Sequence, residues 1–459
     1  FAWNPNLIPF FTLLGFYALL RAVDGAEKRK NLWFLVAAFG ITAATHFHFL
    51  AFLALPTITV LFLALRRPKI AWQAWVGAVC IVFVLYLPMV LNDIETNGAN
   101  VKEFFGAIGE KSTKEDHTLL EKGIRDVSEH ALASIVVTTG FEGATFPSFS
   151  FDGKRPVPWF CDASCDKGKW YGAAGLLGLI LGVFSLGFLT WKEKERTKSD
   201  FLFLIILWFG VTFVLYMPLA YGIAPRFFLV SAPIFFLFLG FLLTLIVKWV
   251  KGVKSKKSII LLLIGIFALS NLFFLFGRFD ELRRAGTEQV ESAPDRILKE
   301  RVRVTLEQQK AVVAFLKKRT EEANAPVYMF SEPQYRRALK YLLEREGVQN
   351  DVLGFSGIYR QGVYYIIVRS ESDVDVAVQK YLASYTEGKR TLFGTLVAVE
   401  LLPKPEAIQA ERQDFTIPEK KENSKAPARY TWNQFFERNS SQGALGDSLE
   451  EIEDAATDN

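Results

Sequence analysis

Six residues of this chain have types and positions suited to binding a substrate, a phosphate among the groups they could hold: Arg226, Tyr221, His46, His48, Asn4 and Asn6. Arg226 is the most informative of them. The stretch YGIAPRFFLVSAPIFF places one guanidinium at the end of an apolar run, in a connection with no other charge. A guanidinium there can capture a phosphate bidentately at the depth of lipid headgroups. Its alternative is an interfacial arginine that snorkels to water. His46 and His48 flank a turn and either hydrogen-bond a substrate or cap a helical hairpin. Asn4 and Asn6 bracket Pro5, where capping of the first helix is the competing role. Cys161 and Cys165, separated by Asp162-Ala163-Ser164, suit a disulfide closing a small loop on an oxidising face. Free thiols are the second reading; a metal pair is disfavoured because no second pair of soft ligands accompanies them.

These residues need elements to position them, and composition says which. Of 459 residues 51% are hydrophobic and 42 are Phe, more than a soluble chain of this length carries. The apolar content is confined to Leu7 through Phe276. A net charge of +5 is too small to argue for nucleic acid. A spanning helix needs roughly 20 mostly apolar residues, and the runs 5–20, 32–47, 49–65, 70–91, 171–191, 201–220, 227–247 and 258–276 qualify as eight spans. The second and third come from one long run, divided at its most polar point, Thr45-His46-Phe47-His48. Cys80 lies inside the fourth run and reads as a packing residue.

Lysine and arginine placement gives these spans a direction. The connections RAVDGAEKRKN, RRPK, KEKERTK and KWVKGVKSKK are all basic, whereas THFHF and YGIAPR hold one Arg between them. Basic loops stay on the cytoplasmic side. The chain then starts outside, and the 92–170 loop and everything after Gly277 are also outside. Asn4 and Asn6, His46 and His48, Asn92 and Asp93, and Tyr221 and Arg226 all fall at one depth, the outer membrane interface. The expected fold is a polytopic α-helical membrane protein with a C-terminal extracytoplasmic α/β domain. Its parts are helices one to four (1–91), an outer loop domain (92–170), helices five to eight (171–277), the α/β domain (278–402) and a disordered tail (403–459).

In the outer loop, STKEDHTLLEKGIRDVSEHALASIVV is polar and helical in pattern. After Arg278, DRILKERVRVTLEQQKAVVAFLKKRTEEA reads as a helix, PVYMFSE as a buried strand and YRRALKYLLEREG as a helix with a glycine cap. VYYIIVRS, DVAVQKYLASY and FGTLVAVELLP continue the alternation. No phosphate loop, nucleophile elbow or metal cluster occurs there, so the domain reads as a positioning or partner-binding cap. RYTWNQFFER is aromatic enough to dock somewhere, and GDSLEEIEDAATDN is a solvated acidic tail.

Charged side chains are nearly absent from the middles of the spans, which counts against an ion-coupled transporter. FAWNPNLIPFFTLLGFYALLRA with its basic loop, the THFHF hairpin and YGIAPRFFLVSAPIFFLFLGFLL together resemble the polytopic GT-C glycosyltransferases. The resemblance is to the bacterial branch related to protein O-mannosyltransferases and lipid A aminoarabinose transferases, and it covers roughly residues 1–280. It implies transfer of a sugar from a polyprenyl-phosphate donor to a lipid, glycan or protein acceptor at the plasma membrane. The acidic residue acting as base would lie in a first outer loop, with about three spans ahead of Phe1. Phe1 follows no initiator Met, basic n-region or cleavage site, as a truncation point would. Asp93, Glu95 and Glu142 are therefore not nominated as catalytic. Arg226 would stabilise the departing lipid phosphate. Some members use a divalent metal, for which this chain supplies no convincing site. The competing expectations are a transporter or flippase of lipid-linked sugars, a non-catalytic membrane anchor, and an O-antigen-ligase-like variant.

Overall fold

The structure, a computed structural model, describes residues 5–99, 101–102, 118–147, 151–152, 155–156, 163–220, 223, 225–249, 252–286, 304–352 and 357–412. It divides into two compact units. One holds the described residues up to Thr138 together with Ala144–Leu262; the other holds Thr139–Gly143 and the described residues from Leu263 to Arg412.

In the first unit the helices are α1 (Ile8–Val23), α2 (Lys30–Thr45), α3 (Phe49–Arg66), α4 (Trp72–Glu95), α5 (Leu119–Thr139), α6 (Ala163–Lys192), α7 (Arg196–Tyr216), α8 (Ala232–Trp249) and the start of α9 (Val253–Ala285). Each of the eight apolar runs is helical, and the long run breaks at Thr45-His46-Phe47-His48. Helix length and composition support fewer than eight spans directly. Among the described residues, five helices are long and apolar enough to cross a membrane: Phe49–Arg66, Trp72–Glu95, Gly168–Lys192, Arg196–Leu219 and Lys256–Ala285. Ile8–Val23 and Ala232–Lys248 are apolar but shorter. The 16 residues of α2 extend only about 24 Å at 1.5 Å per residue, less than the roughly 30 Å hydrocarbon layer.

Trp72, Val79 and Val84 of α4 and Leu261, Leu269 and Phe273 of α9 are exposed, an arrangement that lipid satisfies and water does not. Cys80, expected to pack inside, is also exposed, on α4. The interior is packed with Phe16, Leu55, Ile58, Phe62, Trp208 and Phe235. At the RRPK end, Arg66 of α3 meets Asp200 of α7 at 2.8 Å and covers the Phe203 ring.

Helices α1 and α2 touch through Gly15 and Gly40. A Cβ on Gly40 would sit 2.9 Å from the Gly15 nitrogen and 3.0 Å from its Cα. That is backbone, which cannot swing aside, so small residues set the approach. Gly40→Val is expected to force the helices apart at a cost of about 1–3 kcal/mol. It would be read as a lowered melting temperature in detergent. Gly210→Val, with nothing within 4 Å of its Cβ position, serves as the tolerated control.

In the second unit, Ser270 of α9 donates to the Thr139 carbonyl at 2.8 Å and Arg278 pairs with Glu142. Glu142 is thereby accounted for as a structural partner. The remaining elements of this unit are α10 (Leu306–Ala323), β3 (Val327–Ser331), α11 (Pro333–Arg345), β4 (Asn350–Asp351), β5 (Val363–Arg369), α12 (Val374–Gln379), β6 (Tyr385–Phe393) and β7 (Leu396–Pro403); β1 (Phe151–Asp152) and β2 (Arg155–Pro156) form a short hairpin that belongs to the first unit. The sheet order is β4-β3-β5-β7-β6, parallel across β4, β3 and β5 and antiparallel beyond. Val313, Leu316 and Leu339 cover one face, and Val374 and Val378 of α12 cover the other.

Helix α10 starts later than its pattern suggests, because Thr305 and Gln308 close a capping box there; residues 287–303 lie outside the described residues. Gly347 provides the expected glycine after α11, at φ 73°. Strand β6 was not anticipated. Its YTEGKRTLF sequence is polar on both faces because it is an edge strand, held by β7 through the tight Gly394-Thr395 turn. The fold also continues past 402: Arg360 N–H donates to the Ala410 carbonyl at 3.0 Å. Residues 413–459, and with them RYTWNQFFER and the acidic tail, lie outside the described residues.

Candidate interfacial site

The site is built on a 3-10 turn, Pro225–Val230, between α7 and α8. This turn packs against the 3-10 turn Pro5–Leu7 and against α1, α3 and α8. Two hydrogen bonds from α7 fix its backbone. Tyr216 Oη donates to the Phe227 carbonyl at 2.5 Å, and Trp208 Nε1 donates to the Val230 carbonyl at 3.0 Å. Trp208 is itself held edge-on by Phe16 of α1 at 4.7 Å. The backbone of Arg226 lies in this turn; its side chain is outside the described residues.

His48 caps α3. Its Nδ1 accepts from the Leu50 N–H at 3.1 Å, and its ring meets Phe227 edge-on at 5.0 Å. The ring is buried, so His48 both starts α3 and supports the turn. His46 closes α2 and lies on the Tyr86 ring at 4.3 Å, beside the Thr45–Tyr86 hydroxyl contact of 2.6 Å. Desolvation on its covered side lowers the His46 pKa and favours the neutral ring. Asn6 is exposed in the Pro5–Leu7 turn. The structure thus brings His48, the Asn6 turn and the Arg226 turn together, and places His46 beside Tyr86. Asn4, Tyr221 and Cys161 are outside the described residues; the Cys165 backbone lies in the first turns of α6, so the disulfide expectation falls outside what is described. Asp93 is taken up by the end of α4, where Oδ1 accepts from the Val101 N–H at 3.2 Å.

One part of the site was not anticipated from the sequence. Helix α5, expected in a separate outer loop, buries Ala131 and Ala133 in the same core as Trp208, Tyr216 and Phe228. Asp126 and His130, one turn apart on α5, are both 0% exposed. His130 Nδ1 lies 2.9 Å from the Asp126 carbonyl oxygen and 3.3 Å from Asp126 Oδ1. The backbone oxygen takes the ring N–H, leaving both Asp126 carboxylate oxygens and His130 Nε2 without a hydrogen bond. Four aromatic rings surround the imidazole: Phe228 at 5.0 Å, Phe213 at 5.2 Å, Tyr216 at 5.6 Å and Phe209 at 5.8 Å. Burial pushes the Asp126 carboxyl up from its ordinary value, against the lowering by His130. The sequence did carry a signal: Asp126, His130, Ala133 and Val137 recur at helical spacing on one stripe.

No group of three or more His, Cys, Asp and Glu side chains placed to hold a metal occurs among the described residues.

Among the described residues, five apolar helices of spanning length and a small mixed sheet mark the class as that of a helical membrane protein. Comparison of the chain with protein-family models, with curated proteins and with solved structures gives no match in any of the three.

Proposed function

We propose that this chain is a membrane glycosyltransferase that moves a sugar from a polyprenyl-phosphate donor to a lipid, glycan or protein acceptor on the extracytoplasmic face. The observation that carries this reading is the Arg226 turn, seated on the ends of α1, α3, α7 and α8 and bonded to buried Tyr216 and Trp208. These bonds give the seated turn one backbone position, which suits a phosphate-binding cation more than a casual snorkelling one. The lipid tail lies along the apolar outer faces, and its phosphate lies at the turn. The bond from the anomeric carbon to the phosphate oxygen breaks as the acceptor oxygen bonds to that carbon. Arg226 takes the charge of the leaving lipid phosphate, while a carboxylate base removes the acceptor proton. Asp126 is not that base, since its oxygens are closed off from any sugar.

A second reading, a proton-linked transporter or flippase of lipid-linked sugars, is favoured by the buried Asp126–His130 pair, because titratable groups inside a bundle mark proton pathways. Reconstitution with a panel of radiolabelled polyprenyl-phosphate sugars separates the two. Transfer leaves the label in a new product; translocation leaves the donor intact on the opposite leaflet.

A further inference from the structure

We propose that Asp126 and His130 form a sealed proton-binding site that holds one proton while the Pro225–Val230 turn is seated over it and exchanges protons when the turn lifts. The first half follows from the unmet acceptors. Two carboxylate oxygens and Nε2, all enclosed and with no donor nearby except the His130 ring 3.3 Å from Oδ1, are tolerable in an apolar box only if the pair is neutral overall. One proton makes it so; none leaves a buried anion and two leave a buried cation. The second half follows from what closes the box. Phe228 belongs to the turn itself, and Tyr216 both covers His130 and holds the turn at Phe227. The titratable groups acting on Asp126 are His130 and Glu129 on its own helix, and Asp126 in turn acts on Tyr216 of α7. Glu129 is paired with Arg125.

Opening exposes the pair to water, where Asp and His titrate near their ordinary values of about 3.9 and 6.5. Between those values the opened pair also holds one proton, so opening is proton-neutral. Above about pH 6.5 the opened pair holds none, so opening releases one proton and is favoured as pH rises. Below about pH 3.9 it holds two, so opening takes one proton from the medium and is favoured as pH falls. Each limb changes the closed-to-open ratio up to tenfold per pH unit. The link to the lipid phosphate rests on the glycosyltransferase reading; the proton site does not.

Trp208 is a built-in reporter, because its indole N–H is bonded to the last residue of the turn. Its fluorescence, isolated by subtracting the Trp208→Phe spectrum, is measured against pH in lipid nanodiscs without any sugar. The wild type is expected to show two limbs flanking a plateau. Asp126→Asn is expected to lose the alkaline limb and to open below about pH 6.5, and the double variant with His130→Gln to lose both limbs. An alkaline limb that persists in Asp126→Asn overturns the proposal, as does a flat wild-type profile. Should the variants not fold, the wild type suffices. The chain has four histidines, so labelled-histidine nitrogen spectra can follow each ring. A His130 ring titrating near 6.5 with no change at Trp208 overturns the proposal. Titration only together with Trp208 supports it. Neither readout involves transfer, so loss of the glycosyltransferase reading would leave this test intact.

Discussion

Arg226→Ala is expected to weaken binding of polyprenyl monophosphate by roughly 30- to 150-fold, the equivalent of about 2–3 kcal/mol for a charge-assisted contact. Sugar transfer should fall at least as far, because the same contact strengthens as the phosphate leaves. Arg226→Lys keeps the charge but not the planar fork, and should fall between the two. Binding is measured by competition in nanodiscs, and the melting temperature should change little, since Arg226 lies at the end of a span. Equal affinity in the wild type and Arg226→Ala would reduce this arginine to an interfacial anchor.

Trp208 carries the second large expectation. It is 1% exposed, packs on Phe16 and bonds the end of the Arg226 turn. Trp208→Ala removes a large buried side chain and should cost about 3–5 kcal/mol. Trp208→Phe keeps most of the packing and forfeits the hydrogen bond, leaving the Val230 carbonyl unmet at a cost of about 1–3 kcal/mol. Thermal unfolding gives the first number. The more telling comparison is lipid-phosphate affinity in Trp208→Phe. If the hydrogen bond positions the turn, affinity drops although the fold survives; if the ring only fills space, affinity holds.

Helices were legible because lipid imposes one rule throughout: apolar side chains with every backbone group satisfied internally. The Thr45-His46-Phe47-His48 break was legible for the same reason, since polar residues cannot continue the run. The number of spans was harder to read, because α2 has an apolar composition but only 16 residues. Strand β6 was hidden because Glu387, Gly388, Lys389 and Arg390 have no preference for a strand, and pairing with β7 supplies what their sequence lacks. Of the candidate site, His48 and the Arg226 turn could be found from their position at the ends of runs. Asp126 and His130 share a helical stripe with Ala133 and Val137, but Glu121, Arg125 and Glu129 make α5 polar throughout its first half and hide that signal. Only the contacts of Ala131 and Ala133 with the bundle reveal which way that helix faces.

The most direct test of the central claim is the fate of a radiolabelled sugar on its polyprenyl phosphate, in vesicles containing the purified protein and a mixed pool of envelope lipids, glycans and peptides. The glycosyltransferase account predicts that label leaves the donor, appears in a new product and releases polyprenyl monophosphate in equal amount, with Arg226→Ala suppressing both. Donor that crosses the bilayer chemically unchanged, at a rate set by the pH difference, would contradict it and establish the transporter in its place.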